Sequence, residues 1–112
     1  MCYKFNSDLG SWNVSKGMLF DSMFRDCRKF NKDISSWDVS NGRDFGSMFY
    51  GCVNFNRDIS IWDLSNQNNE HYLDGSTVSF KNMFVDCQSL KYKDKIKETW
   101  KTKYNINLKY GQ

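Results

Sequence analysis

The four cysteines, Cys2, Cys27, Cys52 and Cys87, are the residues of this 112-residue chain with the most distinctive chemistry. Four thiolates can make a tetrahedral zinc site or two disulfides. Their separations of 25, 25 and 35 residues include no Cys-x-x-Cys pair, and they place each thiol at one equivalent position of a recurring unit. Such thiols form a ladder, not a cage. If each sits on a helix, neighbouring axes lie about 8 to 10 Å apart, whereas a disulfide needs Cα atoms within about 7 Å. The expectation is free, buried thiols acting as small apolar groups, which suit a reducing compartment slightly better than an oxidising one. The carboxylates Asp8, Asp33 and Asp58, followed by Asp38 and Asp63, recur in the same way. They could share a cation such as calcium, or accept backbone N–H bonds in the turns where Asp and Asn are favoured. Lys32 and Arg57 interrupt the column and no calcium-loop pattern is present, which favours the turns. The single His71 has no nucleophile at a recurring partner position. With no GxSxG, phosphate-binding loop, HExxH or CxxC, the chain is expected not to be an enzyme and to carry no catalytic, metal or cofactor site.

The elements that would position these residues follow from a repeat. Residues 5–29 and 30–54 align without a gap and are identical at thirteen of 25 positions, and a third copy begins at Phe55. Phe5/Phe30/Phe55, Trp12/Trp37/Trp62, Phe24/Phe49/Phe84 and Cys27/Cys52/Cys87 recur in register, the later members of copy three being displaced by ten residues. A polar, Gly-containing insertion at 66–77 accounts for the displacement. Within a unit, Trp37-x-Val39 alternates as a short strand does, and Phe45-x-x-Met48-Phe49-x-x-Cys52 has the spacing of one helix face. One strand and one short helix cannot bury their own apolar sides, but stacked copies can. The expectation is therefore an α/β repeat: a short right-handed, leucine-rich-repeat-like solenoid with one short parallel strand and one short helix per 25-residue coil. It forms a single domain over 1–112, with a partial repeat at 1–4, repeats at 5–29, 30–54 and 55–89, and a capping helix and tail at 90–112. The expected core is Trp37, Trp62, Phe24, Phe49, Phe84, Met48, Cys27, Cys52 and Cys87, and Ile96, Trp100 and Tyr104 form the apolar stripe of the cap.

The combination FNxDISxW with SMFxxC resembles the roughly 25-residue repeat of BspA-like surface proteins and mycoplasma lipoproteins, which also occurs in large DNA viruses. The resemblance covers residues 2 to 90, with Leu90 standing where Phe is expected. It implies a non-catalytic repeat scaffold for protein contact or assembly, on a cell surface or in a large particle such as a virion.

Charge and the chain ends add two expectations. Residues 1–90 carry nine Lys/Arg against eleven Asp/Glu, whereas residues 91–112 carry seven Lys against Asp94 and Glu98. A nucleic-acid or anionic-surface role would thus fall to the basic tail, though it lacks arginine and capping is the simpler task. A calcium-dependent adhesin is the third reading. No apolar run is long enough to span a membrane and no signal peptide is recognisable, so location is left to the resemblance. Nothing cap-like precedes Cys2, so the first coil is expected to be open to a protein partner or another copy, with Phe5, Trp12, Asn13, Asp38 and Asp63 as contact residues.

Overall fold

The computed structural model describes residues 13–17, 19–65 and 80–108. Successive copies lie on one another, and equivalent side chains stack in columns. Phe20, Phe45 and Phe80 form one column, with ring centroids 5.4 and 5.3 Å apart. Phe24, Phe49 and Phe84 form a second, at 5.9 and 5.7 Å, and Phe30 and Phe55 lie 5.6 Å apart in a third. Each of these pairs is within 16° of parallel. Offset-stacked rings suit a chain with few aliphatic residues, because each ring buries a large apolar area and adds about 0.5–1.5 kcal/mol of stacking beyond it.

The expected architecture of one parallel strand and one short helix per coil is not what forms. Among the described residues there is one helix, α1 at Lys93–Tyr104, and no sheet, only an isolated parallel bridge between Leu19 and Asp44. The leucine-rich-repeat-like α/β assignment is therefore wrong, and the backbone shows why. In the segment read as a helix, every fourth residue takes a left-handed conformation: Ser22 and Asp26 in the first coil, Ser47 and Gly51 in the second, Asn82 and Asp86 in the third. A left-handed residue cannot continue an α-helix, so the chain closes three-residue turns instead. Met23 N–H reaches Phe20 O at 3.2 Å, Arg25 reaches Ser22 O at 3.1 Å and Cys27 reaches Phe24 O at 3.0 Å. The alternate amides point along the stack. Phe20, Ser22, Phe24 and Asp26 donate to the carbonyls of Asp44, Gly46, Met48 and Tyr50 at 2.6–2.9 Å, and Ser47, Phe49 and Gly51 donate to Lys81, Met83 and Val85 at 2.8–3.0 Å. Half the amides thus close turns within a coil and half join it to the next, while the apolar spacing that mimics a helix still points Phe, Met, Phe and Cys inward.

The segment read as a strand forms turns too. Trp37 N–H bonds Ile34 O at 3.1 Å, and Gly42 N–H bonds Val39 O at 2.8 Å. Side chains make the links between coils on this side. Trp62 Nε1 donates to Ile34 O at 3.0 Å, Asn31 Oδ1 accepts Asn56 N–H at 2.8 Å and Asn56 Oδ1 accepts Lys91 N–H at 2.9 Å.

Helix α1 packs where the tryptophan of a further coil would stand. Trp100 lies 6.5 Å from Trp62, 5.9 Å from Phe80 and 6.2 Å from Phe84. Trp62 stands at 6.1 and 6.3 Å from Phe45 and Phe49, the same relation one coil earlier. Ile96 and Trp100 are fully buried, Tyr104 is half-buried and its hydroxyl donates to Trp62 O at 3.3 Å. The helix stops at Asn105, whose left-handed conformation lets its own N–H and that of Ile106 return to Lys101 O and Trp100 O.

The residues expected to form the core, Trp37, Trp62, Phe24, Phe49, Phe84, Met48, Cys27, Cys52 and Cys87, are all buried. Among the described residues, no helix is long and apolar enough to cross a membrane.

Candidate interaction surface

The outward side of the stack is built from short polar turns in which an Asp or Asn accepts from a serine two residues on. Asn13 Oδ1 accepts from Ser15 N–H and Oγ at 3.1 and 2.8 Å, and Asp38 Oδ1 accepts from Ser40 N–H and Oγ at 3.1 and 2.6 Å. Asp63 Oδ1 accepts Ser65 N–H at 3.0 Å. A second set repeats the device, with Asp33 accepting Ser35 N–H and Asp58 accepting Ser60 N–H, each at 3.0 Å. These bonds fix the turn, because a side-chain oxygen that satisfies a nearby amide holds the backbone without a ladder. Asn41 Nδ2 ties one coil to the previous one through Ser15 O at 2.7 Å.

The same bonds set the electrostatics. Hydrogen bonds from Ser35 to Asp33, from Ser40 to Asp38 and from Ser65 to Asp63 hold each carboxyl below its ordinary range. Asp63 in turn raises Asp38 slightly, which marks the two as column neighbours. Partial burial pushes Asp58 up, but bonds from Lys95 and Ser60 outweigh it and the net shift is downward. Lys95 Nζ lies 2.7 Å from Asp58 Oδ2. The nearby charge of Lys103 likewise lowers Asp63. Two lysines of the basic helix therefore act on the Asp columns of the stack.

Of the expected contact residues, Asn13, Asp38 and Asp63 stand exposed in one column of equivalent turns. Phe5 and Trp12 lie outside the described residues, as do His71 and the inserted loop. Among the described residues no group of three or more His, Cys, Asp or Glu side chains could hold a metal ion, and each turn carboxylate is already engaged by its serine.

The thiols divide. Cys52 Sγ donates to Phe24 O at 2.9 Å and Cys87 Sγ to Phe49 O at 3.1 Å, each reaching back one coil. Both are free and buried, and burial pushes each thiol up to about 12. Cys27 is disulfide-bonded, contrary to the expectation of free thiols throughout. That expectation used the spacing of packed helices, and the coils stack at hydrogen-bonding distance instead.

Sequence reasoning missed the left-handed positions and the Asn31–Asn56–Lys91 series. A signal for the first was present, since Ser, Asn, Asp or Gly recurs at each left-handed place, and these residues tolerate that conformation best.

No curated protein and no solved structure matches the chain. The family model described as "Mycoplasma protein of unknown function, DUF285" matches residues 1–82, which span the first two repeats and most of the third. That match covers most of the sequence and agrees with the mycoplasma side of the resemblance drawn from the repeat, so the chain belongs to this family of mycoplasma-type proteins.

Proposed function

We propose that the chain is a non-catalytic repeat scaffold that mediates protein contact or assembly, as a surface protein or as a structural component of a large particle. The observation that carries this reading is the exposed column of Asn13, Asp38 and Asp63. Each is locked by its own serine turn and stands on a core of stacked rings, so one polar motif is displayed repeatedly at fixed spacing. Rigid display lowers the entropy lost on binding. A nucleic-acid role through α1 is less well supported, because Lys95 pairs with Asp58 and Lys103 acts on Asp63, leaving fewer charges for phosphate. Calcium-dependent adhesion has no constellation of carboxylates to support it among the described residues.

The test is photo-crosslinking in the native source, with a photoreactive side chain at Asp38 or at Asp63. Crosslinks to protein from both positions are expected. Crosslinks confined to nucleic acid or lipid, or none above the level given by a probe at the far side of α1, would overturn the reading.

A further inference from the structure

Two connections join the phenylalanine half of a coil to its tryptophan half, and they lie at opposite ends of the core because Trp37 faces Phe24 across it, ring centroids 5.9 Å apart. One carries the Asp38 and Asp63 turns. The other runs through residues 27–33, 52–58 and 87–95 in successive layers. Its layers are tied by Arg57 Nε to Asn31 O at 3.0 Å, Ser89 N–H to Val53 O at 3.2 Å and Lys91 N–H to Asn56 Oδ1 at 2.9 Å, so these residues share one edge of the stack. Seven lysines and arginines stand there against three aspartates, a surplus of four where the whole chain carries a net charge of +3. The three acids are already committed. Asp33 accepts from Ser35 and feels the charge of Arg57, Asp58 pairs with Lys95 at 2.7 Å, and Asp94 lies in the first turn of α1, where the positive end of the helix favours it. Arg28, Lys29, Lys32, Lys91 and Lys93 make no ion pair among the described residues. Arg28, Lys29 and Lys91 are exposed, and Lys32 and Lys93 half-buried. Cations fixed on hydrogen-bonded layers cannot spread apart, so their summed field is available to an extended anionic partner.

We propose that this edge docks on an anionic lipid surface through those five cations. Four of the five are lysines, point charges without the planar fork by which arginine recognises nucleic acid, and a lysine cluster is what a layer of anionic headgroups attracts. Tyr92, exposed between Lys91 and Lys93, adds an aromatic ring with a polar tip, the kind of side chain that settles at the boundary of bilayer and water. The inference goes beyond the scaffold reading and does not depend on it. Asp38 and Asp63 occupy the opposite end of the coil, so the chain can rest on lipid by one edge while the other meets protein.

The experiment is flotation of the full chain with vesicles of phosphatidylcholine, alone and mixed with phosphatidylserine, at low and at high salt. Wild type should float with the mixed vesicles only, and added salt should release it. One basic residue near an anionic leaflet contributes roughly fivefold to binding, so Arg28→Gln/Lys29→Gln and Lys91→Gln/Lys93→Gln should each weaken it by about twentyfold. Lys16→Gln/Lys101→Gln removes the same charge from exposed positions outside this edge and should bind as wild type does. Near-ultraviolet circular dichroism confirms that each variant is folded. Equal flotation with both vesicle types, no flotation, or an equal loss in the control pair would overturn the proposal. So would a DNA duplex that strips wild type from the mixed vesicles at matched phosphate concentration, since the edge would then prefer nucleic acid. The crosslinks from Asp38 and Asp63 report on the other end of the coil, so failure of the scaffold reading and failure of the lipid edge are read separately.

Discussion

Replacing Phe49 by alanine should be the most damaging single truncation in the ring columns. Phe49 is wholly buried, with ring centroids at 4.4 Å from Phe55, 5.7 Å from Phe84, 5.9 Å from Phe24 and 6.3 Å from Trp62. Removing a core phenyl ring costs about 3–5 kcal/mol in transfer and cavity terms, and here the ring is shared by neighbours in three coils. Phe49→Ala should thus lose about 4 kcal/mol, a large part of the ~5–15 kcal/mol that holds a domain folded. With a urea dependence of roughly 2 kcal/mol per molar, the unfolding midpoint should fall by about 2 M. Tryptophan fluorescence reads the transition, since Trp37, Trp62 and Trp100 are all buried. Phe49→Leu keeps apolar bulk and should recover about half the loss. Ile61→Ala, at a side chain 73% exposed, is the control and should change stability by less than about 0.5 kcal/mol. A Phe49→Ala loss below about 1 kcal/mol, or one equal to the Ile61 control, would refute the claim that stacked rings hold the coils together.

Three further outcomes follow from the same geometry. Cys52 and Cys87, buried and pushed up to about 12, should react with iodoacetamide at pH 8 only as fast as the chain opens, and a burst of labelling in the native state would contradict their placement. Asp33, Asp38, Asp58 and Asp63 all titrate below the ordinary 3.8, so their stabilising effect is complete above that value and is lost as pH falls through their lower folded values. Asp38→Asn keeps the turn, as Asn13 does natively, so melting curves should be unchanged at pH 7 and show a shallower fall below pH 4. Among the described residues Trp100 Nε1 is buried with no hydrogen-bond partner, whereas Trp62 Nε1 donates to Ile34 O. Trp100→Phe should therefore cost about 1 kcal/mol less than Trp62→Phe in urea unfolding, the size of one net hydrogen bond.

The parts of this architecture that repeat side chains were legible in the sequence, and the parts that depend on backbone handedness were not. Phe24, Phe49 and Phe84 share a register whatever their local backbone, so the columns followed from alignment alone. The i, i+3, i+4, i+7 spacing of Phe45, Met48, Phe49 and Cys52 fits one helix face, and a chain of consecutive turns gives the same inward set. Only the polar positions between them separate the two, and Ser47 and Gly51 are residues that a helix tolerates poorly. The strand reading failed for a related reason: Trp37 and Val39 alternate, but the turns at Asp33 and Asp38 engage the serine amides on either side. The final helix was plain, since Ile96, Trp100 and Tyr104 recur every four residues without a left-handed interruption before Asn105. Asp38 and Asp63 could be placed on the surface from sequence, whereas the pairing of Lys95 with Asp58 joins positions 37 residues apart and needed the fold.

The third coil accepts the amides of the second with the same pattern of bonds as the second accepts those of the first, although ten extra residues separate its two halves. Closing a longer loop adds little entropy, since the penalty grows only with the logarithm of length. Each coil thus has a seam between its tryptophan half and its phenylalanine half where foreign sequence can be grafted without disturbing the stack. A lineage could vary what it shows to its surroundings there while its interior stays constant.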